Sequence, residues 1–152
     1  MKILISPYSV NFSSHGGKNA KNYPYWQELI DMLVDAGHEV YQIHCCKEKI
    51  FKNVETISFD KIYKYEKLIL SGKYDTFISV DNFFHHLAAY CKFPGYVIFG
   101  KSDPSIFGHK IHTNIYKNKK YFRPNQFDVW FFEKYNEDVF VKPKKIFDLM
   151  NK

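Results

Sequence analysis

Residues Thr76 to His109 read TFISVDNFFHHLAAYCKFPGYVIFGKSDPSIFGH, and this stretch decides the fold class. Thr76 to Val80 is an apolar run of strand length with Asp81 at its end. Phe84 to Cys91 reads as a helix that carries two adjacent histidines, His85 and His86, in its first turn. Tyr96 to Phe99 is a second buried strand, and Gly100 to Pro104 is a polar loop of Gly, Lys, Ser, Asp and Pro. Strand, helix and strand in so short a span form a β-α-β unit with parallel strands. In open parallel sheets, ligands bind outside the carboxyl ends of the strands, so Asp81 and Gly100 mark the edge where a ligand is expected.

The same alternation extends in both directions. Lys2 to Ser6 is an apolar strand stopped by Pro7, and Asn11 to Tyr23 is a turn-forming segment rich in Ser, Gly, Lys and Asn. Pro24 suits a first helical turn, and Trp26, Leu29, Ile30, Leu33 and Val34 recur at the spacing of a core-facing stripe, with Gly37 as the stop. Glu39 to His44 is a second strand, whereas Lys47 to Thr56 has no assignable period. Ser58 is the expected cap of a helix to Leu70 with Ile62, Tyr65, Leu68 and Ile69 on one face. Ile111 to Tyr116 is a weak strand, Tyr121 to Phe132 an aromatic stretch expected to cover the core or meet a partner, and Pro143 opens a terminal helix. The expected fold is α/β, a Rossmann-like three-layer sandwich with a mainly parallel sheet of about five strands.

Composition bounds the function. A chain of 152 residues with 45% hydrophobic content buries roughly two thirds of its unfolded surface in one core, so a single domain over residues 1–152 is expected. The longest apolar runs fall short of the ~20 residues a membrane helix needs, and the start is too polar for a secretory signal, so a soluble cytoplasmic protein is expected. Three cysteines, two of them adjacent at Cys45 and Cys46, fit neither a disulfide framework nor a C-x-x-C metal or redox site. The net charge of +6 favours anionic ligands, but the lysines are scattered rather than striped, which points to phosphate-bearing small molecules ahead of nucleic acid.

Several residues carry suitable chemistry. A Gly/Ser/Lys loop before a helix offers cations and backbone N–H groups to phosphates, which makes Ser14, Gly16, Gly17, Lys18 and Lys21 candidates; a plain surface loop is the other reading. Asp81 either accepts hydrogen bonds from a sugar hydroxyl or caps the helix after it. His86 can donate to an anion, while His85, about 100° away around the helix, is read as packing or surface. Gly100, Ser102 and Asp103 form either a phosphate-binding loop or a tight turn. A metal ion shared among Asp81, His85, His86, Asp103, His109 and His112 is the competing reading; it is disfavoured because adjacent helical histidines are expected to diverge and no His-x-x-x-His spacing occurs. No nucleophile elbow or Cys-His signature appears either.

Three segments in order give a family resemblance. They are Lys21-Asn22-Tyr23-Pro24 opening the WQELIDML helix, Asp81-Asn82-Phe83-Phe84-His85-His86-Leu87-Ala88, and Phe99-Gly100-Lys101-Ser102-Asp103-Pro104. Together they resemble the C-terminal, nucleotide-sugar-binding half of glycosyltransferase family nine, the group that includes the ADP-heptose:lipopolysaccharide heptosyltransferases. The resemblance implies one lobe of the two-lobed GT-B fold, binding of a nucleotide-activated sugar of the ADP-heptose type, and sugar transfer without a metal or other cofactor. It gives Lys21 and His86 catalytic roles beside the leaving diphosphate, and Asp81, Asn82, Gly100, Ser102 and Asp103 binding roles. The chain departs from the pattern at Asn82-Phe83, where the family has Thr-Gly, and the family's acceptor-binding half, which supplies the catalytic base, has no counterpart. A homodimer or a separate acceptor-binding chain is therefore the expected partner. The alternative implied by the missing half is a non-catalytic module that senses or sequesters a nucleotide-derived metabolite.

Overall fold

Side-chain alternation in the first strand builds both faces of the molecule. In the computed structural model, which describes residues 1–9, 19–45 and 48–151, β1 (Lys2–Ser6) sends Ile3 and Ile5 into one core and Leu4 into another, all fully buried. Successive strand residues point to opposite faces, so a strand apolar on both sides needs a layer of helix on each. On one face lie α1 (Trp26–Asp35) and the terminal α5 (Pro143–Met150), whose Trp26, Leu29, Ile30, Leu33 and Ile146 meet Ile3, Ile5, Ile78, Val80 and Ile98. On the other lie α2 (Ile62–Leu70) and α3 (Phe83–Tyr90), whose Tyr65, Ile69, Phe84 and Ala88 meet Leu4, Phe77, Val97 and Phe99. This is the three-layer sandwich expected from the sequence.

Among the described residues the sheet has six strands rather than about five. Its order is β3 (Glu55–Ile57), β2 (Glu39–Ile43), β1, β4 (Thr76–Val80), β5 (Tyr96–Phe99) and β6 (Thr113–Tyr116), with every neighbouring pair parallel. The added strand β3 lies in the segment without a period: three residues on a sheet edge, two of them exposed, are too few and too polar to signal themselves. Each central connection is a helical crossover, and the direction of winding reverses between β1 and β4. That reversal is the topological switch point where open α/β sheets form a crevice.

Two local expectations change. Ser58 does not cap α2, whose N-terminus is Lys61 without a side-chain cap. The Tyr65 hydroxyl instead donates to the Phe59 carbonyl at 3.1 Å and accepts the Phe59 N–H at 3.2 Å, which keeps that segment extended ahead of the helix. Ile62 is 66% exposed, so the buried stripe of α2 is Tyr65 and Ile69. Gly37 stops α1 as read, at φ 81°, with its N–H on the Val34 carbonyl at 2.9 Å. Between β5 and β6 a short helix, α4 (Pro104–Phe107), carries the chain over the carboxyl edge. No helix among the described residues is long and apolar enough to cross a membrane.

Candidate functional site at the carboxyl edge of the sheet

Asp81 follows β4 directly and is 4% exposed. Lys21, just before α1, reaches across the switch point and places its Nζ 2.7 Å from Asp81 Oδ2, with only 16% of its side chain exposed. The same ammonium stands over the Trp130 ring at 4.5 Å and the Phe107 ring at 5.5 Å. His85 Nε2 lies 3.3 Å from Asp81 Oδ1; a carboxylate only accepts, so that nitrogen carries the proton. Burial raises the Asp81 carboxyl, but hydrogen bonds from His85, the charge of Lys21 and the Ser102 hydroxyl outweigh it and hold the group well below the usual carboxylate range. The site therefore contains a buried carboxylate held by three partners.

Asn82, not Asp81, caps α3. Its Oδ1 accepts the Phe84 N–H at 3.0 Å, and its Nδ2 donates to the Ser6 and Tyr8 carbonyls, each at 3.0 Å. The amide thus fastens the end of β1 to the end of β4, which fixes the floor of the crevice. Phe83 turns away from Asp81: it is 45% exposed and packs edge-to-face on Tyr65 at 5.8 Å. It lines an apolar cleft of about 270 Å³ with Phe59, Ile62 and Tyr65, beyond the ends of β2 and β4.

The loop after β5 is largely committed to the fold. Gly100 is dictated by packing, since a Cβ there would meet the Phe140 ring at 2.6 Å. Ser102 is 1% exposed with its hydroxyl on Asp81, so it is not a donor presented to solvent. The Asp103 side chain accepts the Ser105 N–H at 2.8 Å and caps α4, while its own N–H goes to Gln126 Oε1 at 3.0 Å. Lys101 ion-pairs with Glu133 and donates to the Lys134 carbonyl at 2.7 Å, which straps the Trp130 segment over this edge. Ser14, Gly16, Gly17 and Lys18 lie outside the described residues.

The histidines depart most from expectation. His85 is fully buried, and its ring lies 3.8 Å from that of His86, centroid to centroid, so the two converge instead of diverging. His86 Nδ1 is 2.8 Å from His109 Nε2, and His112 Nε2 donates to the His85 carbonyl at 2.9 Å. Burial, the neighbouring His85 and His109, and Lys21 push His86 down to about 4 against the opposing pull of Asp81, so it is neutral at pH 7. His109 and His112 are likewise lowered, first by burial. His109 and His112 enter the sequence reading only through the disfavoured metal ion, and nothing in the spacing joins Trp130 to this site, because it arrives on a single 3-10 turn far along the chain. Farther along, Asp103, Asn114, Tyr116, Lys119 and Phe122 border a second cavity of about 290 Å³.

No protein-family model and no curated protein sequence matches the chain. Its structure is similar to that of Escherichia coli ADP-heptose lipopolysaccharide heptosyltransferase II at TM-score 0.70 and 16% identity, over 99% of this chain and 45% of that one. It is similar to the E. coli heptosyltransferase WaaC, solved with ADP, at TM-score 0.68 and 17% identity, over 98% of this chain and 43% of that one. The dodecameric, iron-containing glycosyltransferase TibC of enterotoxigenic E. coli H10407 follows at TM-score 0.60 and 16% identity, over 93% and 36%. The chain spans less than half the length of each, and at these identities the likeness is one of fold. The α/β architecture is that of one lobe of the two-lobed heptosyltransferases.

Proposed function

We propose that this chain binds a nucleotide-activated sugar, of the ADP-heptose type, in the crevice between β1 and β4. The observation that most supports this reading is the Lys21–Asp81 pair at the switch point of a sheet similar in fold to part of heptosyltransferase structures, one of them solved with ADP. A diphosphate arriving there competes with Asp81 for Lys21, and His86, exposed and neutral, offers a ring N–H to a phosphate oxygen. The cleft between Phe59, Tyr65 and Phe83 has the flat apolar walls that suit a base. If the sugar is transferred, Lys21 and His86 are the groups that meet the charge developing on the leaving diphosphate.

One feature favours binding without turnover. The carboxylates nearest the crevice are engaged: Asp81 with Lys21, Asp103 as the cap of α4, Glu133 with Lys101. A base for the acceptor hydroxyl therefore has to come from outside these three carboxylates, and a second copy or an acceptor-binding chain is one source. The exposed Phe127, Val129 and Phe132, at 80%, 61% and 79%, offer such a chain an apolar surface. A cytoplasmic setting accords with this ligand class and with the lack of a disulfide among the described residues.

A thermal-shift screen against ADP-, UDP- and GDP-sugars tests the reading. A ligand at a hundred times its dissociation constant adds about 2.7 kcal/mol, which for a chain of this size raises Tm by about 5–11 °C. Lys21→Met is expected to remove the shift. No shift with any of these nucleotides refutes the assignment. A glycosyl-release assay then separates the two forms: turnover that persists in both Lys21→Ala and His86→Ala removes the catalytic role of these residues, and intact recovery of the bound sugar identifies a binding module.

A further inference from the structure

We propose that His85, His86 and His109 form a binding site for a divalent late-transition metal ion, of which zinc is the type. Each offers one ligand nitrogen, and the three nitrogens already lie within 4.8 Å of one another. Tetrahedral zinc at Zn–N distances of about 2.0–2.1 Å sets its nitrogens about 3.3 Å apart, so the cluster contracts slightly while the 2.8 Å His86–His109 contact opens slightly. Both are side-chain rotations on one short helix and one loop. Imidazole donors without thiolate or further carboxylate select zinc, copper, nickel or iron over magnesium and calcium.

The surroundings are those of a ligand set rather than of packed core histidines. His85 is fully buried, its Nε2–H is taken by Asp81, and its Nδ1 is buried without a hydrogen-bond partner. An imidazole that gives one N–H to a carboxylate keeps its other nitrogen basic, which is the usual arrangement around a metal-bound histidine. His112 holds the backbone at His85 through its 2.9 Å bond to that carbonyl, and Asn114 holds that of His109 through a 3.2 Å bond from Nδ2 to its carbonyl. Three protein ligands leave a fourth position for water or an anionic oxygen.

The inference does not rest on the nucleotide-sugar reading, since the ion needs only the three imidazoles. It is tested by stripping the folded protein with a chelator and titrating it with Zn2+ alone by calorimetry, then with Co2+ by visible absorption. One equivalent of Zn2+ and a four- or five-coordinate Co2+ spectrum without a thiolate charge-transfer band are expected. His86→Ala and His109→Ala are each expected to weaken Zn2+ binding by at least about tenfold, whereas His38→Ala, remote from the cluster, leaves it unchanged. Both test variants sit on exposed or half-buried side chains, so circular dichroism should show them folded. Absence of Zn2+ binding, a thiolate band in the Co2+ spectrum, or unchanged affinity in both His86→Ala and His109→Ala overturns the proposal, whatever the nucleotide screen returns.

Discussion

The Lys21–Asp81 pair is the contact on which the site depends, and removing either charge should be felt by the whole fold. At 2.7 Å the attraction in an effective dielectric of about 20 is roughly 6 kcal/mol, most of which offsets the desolvation of two groups whose side chains are 16% and 5% exposed. Breaking a buried pair by deleting one partner costs about 3–5 kcal/mol, but in Lys21→Met the carboxylate keeps His85 and Ser102. We therefore expect a loss near the lower end, about 3 kcal/mol, which corresponds to about 6–12 °C in Tm. Asp81→Asn should cost about as much, because the ammonium is left over the Trp130 and Phe107 rings with little access to water. The double variant should lose less than the sum by about 1–2 kcal/mol. The pH dependence gives a second signature. The Asp81 carboxyl is depressed below its ordinary 3.8, so its stabilisation is fully present above that value and is lost as the pH falls below it; the gap between wild type and Lys21→Met should narrow there. Urea unfolding of the four proteins at pH 7 and pH 3 measures all of this. Single losses that add within about 0.5 kcal/mol would refute the coupling argued from the geometry.

Other outcomes follow from particular contacts. Gly95→Ala places a Cβ 2.3 Å from the fully buried Phe77 ring, and thermal melting should show the loss of about 1–3 kcal/mol typical of overpacking. Asn82→Ala removes the α3 cap and the donor to the Ser6 and Tyr8 carbonyls, so it should cost about 2–4 kcal/mol, against about 1 for an ordinary cap. Phe127→Ser with Phe132→Ser, at positions 80% and 79% exposed, should leave the monomer's Tm within about 2 °C; light scattering on the same protein reports whether that surface joins two copies.

Much of the fold was legible because its signals are strong and local. The strand runs at Lys2–Ser6, Thr76–Val80 and Tyr96–Phe99 are apolar on both faces, which only a sheet covered on two sides explains. The Trp26, Leu29, Ile30, Leu33 stripe places α1 without ambiguity. What escaped is short or held from outside. β3 has three residues and gains its bonds from β2 alone, and the start of α2 is set by the Tyr65 hydroxyl rather than by Ser58.

The site was legible where residues lie beside a strand end and illegible where side-chain direction decides. Lys21, just before α1, and Asp81, just after β4, meet at the switch point, whereas the side chains of Asn82 and Ser102 are taken up within the fold: one joins the strand ends, the other donates to Asp81 from the interior. The helical wheel misleads at His85 and His86. A 100° turn separates their Cα–Cβ directions, yet helical side chains lean back toward the N-terminus, and at the first turn of α3 there is no preceding turn to keep the rings apart. His85 leans onto Asp81 while His86 swings to His109, and the rings end 3.8 Å apart. The angular argument against a shared ligand therefore fails at a helix N-terminus, where a carboxylate behind one imidazole and a loop histidine beside the other decide where the nitrogens point.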